Sequence, residues 1–150
     1  MKRFHVHLNV EHIGKNVAFY TQLFGAEPMI VKPDYAKWML DDPRVNFAIS
    51  SRPAAIGLDH LGLQAENADE LTEIGDRLQA ADAIAMAEQN STCCYARSDK
   101  FWAEDPQGTR WESFHTRGDA TTYYAPHEAE ARSAANIARG TACCGPTAAH

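Results

Sequence analysis

Arg3-Phe4-His5-Val6-His7-Leu8-Asn9-Val10 alternates apolar and polar side chains from end to end, the two-residue period of a half-buried strand. Val6, Leu8 and Val10 face one way; His5, His7 and Asn9 face the other. Next, Ile13, Val17, Tyr20, Leu23 and Phe24 recur at helical spacing, with His12 at the helix start and Gly25 as its stop. The runs YAKWML at 35–40 and VNFAIS at 45–50 then read as strands, with Asp41-Asp42-Pro43 as the hairpin turn between them.

The pattern restarts at Asp59-His60-Leu61-Gly62-Leu63-Gln64-Ala65, followed by a helix over 68–82 with Leu71, Ile74 and Leu78 on one face. Strands are expected at about 83–88, 99–104 and 109–115. Laying His5 on His60 also lays Leu8 on Leu63, Phe19 on Ile74 and Leu23 on Leu78. A constant offset across a strand and a helix points to a duplicated β-α-β-β-β unit, joined by SSRPAAIG at 50–57. Two unrelated βα segments sharing a generic pattern are the alternative. The expected architecture is α+β: two βαβββ modules, at about 3–50 and 58–115, forming a curved-sheet cleft within a single domain, 1–118. Residues 119–150 are rich in alanine and small residues and thin in large aliphatics, and are expected to be a flexible tail with at most a weak helix at 127–139.

The 150 residues suffice for one ordinary hydrophobic core. Acidic residues outnumber basic ones by 20 to 14, a net charge of -6, and no basic run suggests a nucleic-acid footprint. The apolar stretches are too short for a membrane span, and the N-terminus lacks the apolar core of a signal peptide. The expected location is therefore the reducing cytoplasm, where structural disulfides are rare. All 4 cysteines fall in two adjacent pairs, Cys93-Cys94 and Cys143-Cys144. Bridging neighbours strains the backbone, so the pairs read as thiols suited to a soft ion such as trivalent arsenic or cadmium.

If the two units pair about a pseudo-twofold, His5, its counterpart His60, and Glu112 on the last strand can converge on one sheet. Two imidazoles and a carboxylate leave positions open for water, dioxygen or substrate. Each residue taken alone is equally at home on a solvated face. Cys93-Cys94 is expected in a loop after Gln89-Asn90-Ser91; one buried and one incidental cysteine is the bland alternative. His7 lies about 6–7 Å beyond His5 along the strand and reads as pocket lining rather than ligand. His115 should face away from Glu112. Tyr35, Trp38, Phe47 and Trp102 read as core or pocket-wall aromatics, and Lys100 as a solvated lysine unless it pairs with a thiolate. The acid-rich stretch 66–76 reads as an exposed helix face.

His5-x-x-Leu8-x-Val10, Phe19-Tyr-Thr-Gln-Leu-Phe-Gly-Ala-Glu-Pro28, Asp59-His-Leu-Gly-Leu63 and Asp105-Pro-Gln-Gly-Thr-Arg-Trp-Glu-Ser-Phe114 resemble the vicinal oxygen chelate superfamily. That superfamily includes glyoxalase I, extradiol dioxygenases and the bleomycin and fosfomycin resistance proteins. The resemblance implies metal ligands at His5, His60 and Glu112. Glyoxalase I usually adds a carboxylate on the closing strand of the first unit. Aligned from the unit ends, Arg44-Val45-Asn46 falls on Arg110-Trp111-Glu112, so that place holds Asn46. The set left resembles that of non-haem Fe(II) oxygen enzymes, although Mn, Co, Ni or Zn also suit it.

Pro33-x-Tyr35-Ala36 and Thr92-Cys93-Cys94-Tyr95-Ala96-x-x-Asp99-Lys100-x-Trp102 are similar to the group of carbon–arsenic lyases and cadmium-induced proteins. Some members carry glutamine at the position of His5. The resemblance implies an Fe(II)- and O2-dependent lyase that cleaves trivalent organoarsenicals to arsenite, with Cys93 and Cys94 holding arsenic and Cys143 and Cys144 as a secondary thiol site. It also implies a homodimer. The alternatives are a non-catalytic cadmium- or arsenite-binding resistance protein, or another dioxygenase of the same fold.

Overall fold

A computed structural model describes residues 1–93, 95–119 and 124–125. Cys94, Cys143 and Cys144, and with them the expected helix at 127–139, lie outside the described residues. The element order is β1 (Arg3–Asn9), α1 (Ile13–Phe24), β2 (Ile30–Lys32), β3 (Tyr35–Asp41), β4 (Arg44–Ser50), β5 (Gly57–Ala65), α2 (Ala68–Ala80), β6 (Met86–Cys93), β7 (Ala96–Glu104), β8 (Arg110–Asp119) and β9 (Tyr124–Ala125). Each expected helix and strand of the two units is present. The strands form one sheet in the order β2-β3-β4-β1-β5-β8-β7-β6-β9. The two βαβββ modules therefore join edge to edge through β1 and β5.

That junction carries the pseudo-twofold. β1 and β5 run antiparallel with Val6 opposite Leu61, and exchanging the strands about that pair carries His5 onto His60 and His7 onto Gly62. Each opening strand also pairs in parallel with the closing strand of its own module, β1 with β4 and β5 with β8.

Both helices cover one face. α1 lays Val17, Tyr20 and Phe24 on Trp38, Phe47 and Ile49, with Val6 and Leu8 beside them. Tyr20 and Phe47 ring centroids are 4.5 Å apart, and Trp38 donates its indole N–H to the Ala26 carbonyl at 3.0 Å. Gly25 ends α1 in the left-handed conformation at φ 62°. α2 begins at Asn67, whose side chain accepts the Glu70 amide at 2.8 Å, and buries Leu71, Ile74 and Gly75. A Cβ at Gly75 would meet the Phe101 ring at 2.6 Å, so glycine lets α2 sit close against β7.

The opposite face is also buried, but by polar groups: His5, His7, Asn9, Asn46, Ser50, His60, Ser98, Lys100 and Glu112. A face of this composition needs partners for every donor and acceptor.

Three local differences from the sequence reading have simple causes. Residues 89–91 belong to β6 rather than to a loop, because a register shift between Glu88 and Ser91, with Asn90 at φ 52°, absorbs the turn-forming residues inside the strand. β7 begins at Ala96, so the connection after Cys93 is a tight turn through Tyr95. Tyr124–Ala125, expected in the tail, pairs with Thr92 and Cys93 of β6. No helix among the described residues is long and apolar enough to cross a membrane.

Candidate metal centre

Strand register builds the site in two rows. One row runs Met39, Asn46, His5, Gly62, Glu112, Trp102 and Met86 across the sheet. The next runs Lys37, Ala48, His7 and His60. Gly62 is the gap between His5 and Glu112, and His60 reaches into it from the neighbouring row. A Cβ at Gly62 would lie 2.1 Å from the Glu112 carbonyl oxygen, so any other residue there pushes β8 away from β5.

The side chains converge accordingly. His5 Nε2 and His60 Nε2 are 3.2 Å apart, and Glu112 Oε2 lies 3.3 Å from His60 Nε2 and 3.8 Å from His5 Nε2. The far nitrogen of each ring is engaged elsewhere. His5 Nδ1 donates to the Asn46 carbonyl at 3.0 Å, and His60 Nδ1 donates to Asp59 Oδ2 at 2.6 Å. Asp59 is itself paired with Arg52 at 2.7 Å. With both Nδ1 atoms donating, both Nε2 atoms of the neutral rings present lone pairs toward each other and toward a carboxylate oxygen. Such a concentration of lone pairs calls for a cation, and ligating histidines with carbonyl or carboxylate partners behind them are the usual metal-site pattern. The donors fit a divalent ion with open positions.

Electrostatics agree. Burial pushes His5 down to about 4, only partly offset by Glu112, so it is neutral near pH 7. Burial also lowers His60, but hydrogen bonds to Asp59 and Glu112 outweigh it and raise that ring above its ordinary value. Burial alone would raise the Glu112 carboxyl; Lys100 and then His60 hold it well below the usual carboxylate range. A proton on His60 thus occupies the place a metal would take.

Two residues stand closer to the chemistry than the sequence suggested. Lys100 is not solvated: it is 4% exposed, and its Nζ lies 2.6 Å from Glu112 Oε1. It sits diagonally from Glu112 across β7 and β8, a cross-strand relation that sequence order conceals. His7 is not remote either. The distance along β1 separates it from His5, but antiparallel pairing sets it directly opposite His60, and donor atoms of His5, His7 and His60 all lie within 4.8 Å of one another. Asp59 and Arg52 complete the support of His60 and were not singled out in the sequence. His115 pairs with Ala65, off the row of Glu112, as expected.

Register also revises the fourth-carboxylate position. Glu112 stands opposite Gly62, whose pseudo-twofold mate His7 stands opposite Ala48. Alignment from the unit ends falls on Asn46 instead, because the closing strands of the two modules are offset differently against their opening strands. Neither residue supplies a carboxylate.

A cleft opens beside the centre, lined by His5, Tyr35, Asn46, Ala96, Lys100 and Glu112 among others. Cys93 closes β6, and its backbone partner is Ala96. Tyr95, at φ 61° in the same turn, donates its hydroxyl to Asp34 Oδ1 at 2.6 Å, which ties this turn to the β2–β3 hairpin across the cleft.

Residues 2–113 match the Glyoxalase/Bleomycin resistance protein/Dioxygenase superfamily, and the chain belongs to it. Among individual proteins it is similar to a trivalent organoarsenical cleaving enzyme of Bacillus sp. (strain MD1), 39% identical over 99% of this chain and 93% of the relative. It is also 34% identical to the cadmium-induced protein CadI of Mycobacterium tuberculosis (strain ATCC 25618 / H37Rv), over 82% of each chain. The Mn(II)-bound glyoxalase from Novosphingobium aromaticivorans shares the fold, with a TM-score of 0.56 and 16% identity over 85% of this chain and 44% of that one.

Proposed function

We propose that this protein is an Fe(II)- and O2-dependent carbon–arsenic lyase that converts trivalent organoarsenicals to arsenite. The observation that supports the reading is the backbone pairing of Cys93 with Ala96, a residue that lines the same cleft as His5 and Glu112. The relatives named as organoarsenical cleaving enzymes support the same substrate class.

His5, His60 and Glu112 would hold the metal. A divalent metal there supplies Lewis acidity and, as iron(II), dioxygen chemistry. Cys93 and Cys94, as thiolates, would displace two ligands from trivalent arsenic and form two S–As bonds, fixing the remaining organic group toward the metal. The Tyr95–Asp34 hydrogen bond orients the turn that presents them. Lys100 keeps the Glu112 carboxylate charged, and Asp59 keeps the His60 ring aimed at the metal. The chain's own contribution is mainly proximity and orientation. The reading includes a cytoplasmic homodimer, with 1–118 as the catalytic unit and Cys143 and Cys144 in an accessory tail.

Protein purified without oxygen, loaded with Fe(II) and given a methyl- or phenylarsenical under air should release arsenite. Absence of arsenite from every trivalent organoarsenical tried would discard the lyase reading. The cadmium-induced relatives favour a second reading, sequestration of cadmium or arsenite by the thiols without turnover. Glu112→Ala separates the two: it abolishes turnover but leaves sequestration intact.

A further inference from the structure

We propose that His7 is a metal-ligating imidazole, so that this site offers a divalent ion two overlapping donor sets, His5–His60–Glu112 and His5–His7–His60. The inference rests on His5 and His60 as ligands, taken from the reading above, and adds a residue that neither the sequence motif nor the proposed reaction uses.

Three observations carry it. His7 is 1% exposed and stands directly opposite His60 in the β1–β5 ladder. Its Nε2 is held by Ser50 Oγ at 2.8 Å, while its Nδ1, fully buried, has no hydrogen-bond partner among the described residues. Buried ring nitrogens are normally paired, so an orphan beside two lone-pair-bearing imidazoles is itself a sign of a missing partner. Ser50 Oγ also accepts from Arg52 Nε at 3.1 Å. In the His7 tautomer whose Nε2–H donates to Ser50, Nδ1 carries the bare lone pair that a ligand needs, and Ser50 is the outer support that ligating histidines usually have. The third observation is spacing: donor atoms of His5, His7 and His60 lie within 4.8 Å of one another. An ion bound at about 2.0–2.1 Å from each nitrogen holds such donors roughly 3–4 Å apart. Small side-chain rotations close the remaining difference.

The two sets differ in charge and softness. Glu112 contributes an anionic oxygen but is shared with Lys100 at 2.6 Å, which can keep the carboxylate when the ion turns to His7. Three neutral imidazoles suit borderline ions such as Zn(II), Co(II) or Cu(II), whereas the set with a carboxylate also suits harder Mn(II). The site would therefore keep a borderline ion without Glu112, but not a hard one.

The test compares wild type, Glu112→Gln, His7→Gln and the double variant, all full-length, by metal analysis and competition titration with Zn(II), Co(II) and Mn(II). Circular dichroism verifies folding. Glu112→Gln should retain Zn(II) and Co(II) at one ion per chain while losing Mn(II). Adding His7→Gln to it should weaken Zn(II) binding by roughly 10–100-fold. Equal Zn(II) affinity in Glu112→Gln and the double variant would overturn the proposal. Pulsed EPR of Cu(II)-loaded Glu112→Gln is a second readout that does not depend on the double variant folding: three coordinated imidazoles support the assignment of His7, and two refute it. If wild type binds none of these ions, the metal centre itself is wrong and His7 falls with it. If wild type binds and Glu112→Gln does not, only the second donor set fails.

Discussion

Lys100 Nζ and Glu112 Oε1 are 2.6 Å apart in a setting where both side chains are less than a tenth exposed, and the second oxygen of the same carboxylate faces His60 at 3.3 Å. One carboxylate thus faces a fixed cation on one side and the His60 imidazole on the other.

Removing that cation should be costly. Lys100→Met leaves a buried carboxylate without its partner, a change worth about 3–5 kcal/mol. A bound divalent ion supplies replacement charge. The melting temperature of Lys100→Met should therefore fall sharply in chelator and recover in part with Zn(II) or Co(II). Equal losses with and without metal, measured by thermal denaturation, would show that Glu112 does not face the ion.

Gly62 should tolerate no side chain. The Cβ of Gly62→Ala would meet the Glu112 carbonyl oxygen at 2.1 Å, and that atom is backbone within a paired strand. The expected loss is at the upper end of about 1–3 kcal/mol, accompanied by weaker metal binding because His60 and Glu112 are forced apart. Denaturant unfolding and metal titration on the same sample measure both.

The two cysteine pairs should separate by role. Replacing Cys93 and Cys94 with serine should abolish arsenical binding by the core but leave metal content unchanged, since neither belongs to the donor sets. Deleting residues 126–150 should weaken capture at low arsenical concentration while turnover at saturation persists, because a tethered thiol pair raises local concentration without fixing geometry. The reverse pattern would mean that the roles are exchanged.

Asp105 shapes the turn that delivers Glu112. Its carboxylate accepts the Gln107 and Thr109 amides, each at 2.9 Å, and these bonds hold its carboxyl below the ordinary 3.8. A carboxyl lowered in the folded state stabilises fully above its unfolded value and loses that contribution as pH falls through the folded one. Wild type should therefore be more stable than Asp105→Asn at neutral pH, and the gap should shrink as pH drops below 3.8. Thermal melts across that range show whether it does.

Much of this protein was legible in order and period alone. Alternation in 3–10 and 59–65, helical spacing after each, and the common offset between them specify two βαβββ units, because side-chain periodicity is a local property of strand and helix. His5, His60 and Glu112 could be named as candidates because the repeat relates the first two and a short motif marks the third. What local pattern cannot encode is which strand lies beside which, and in what register. Pairing β1 antiparallel to β5 set His7 opposite His60, and pairing β7 with β8 set Lys100 diagonal to Glu112. Those neighbours lie 53 and 12 residues away along the chain, yet the first pair is directly opposed, about 5 Å apart, and the second is diagonal, about 7–8 Å apart. Only the folded sheet turns that separation into contact, so the residues that tune the centre came into view with the register and not before.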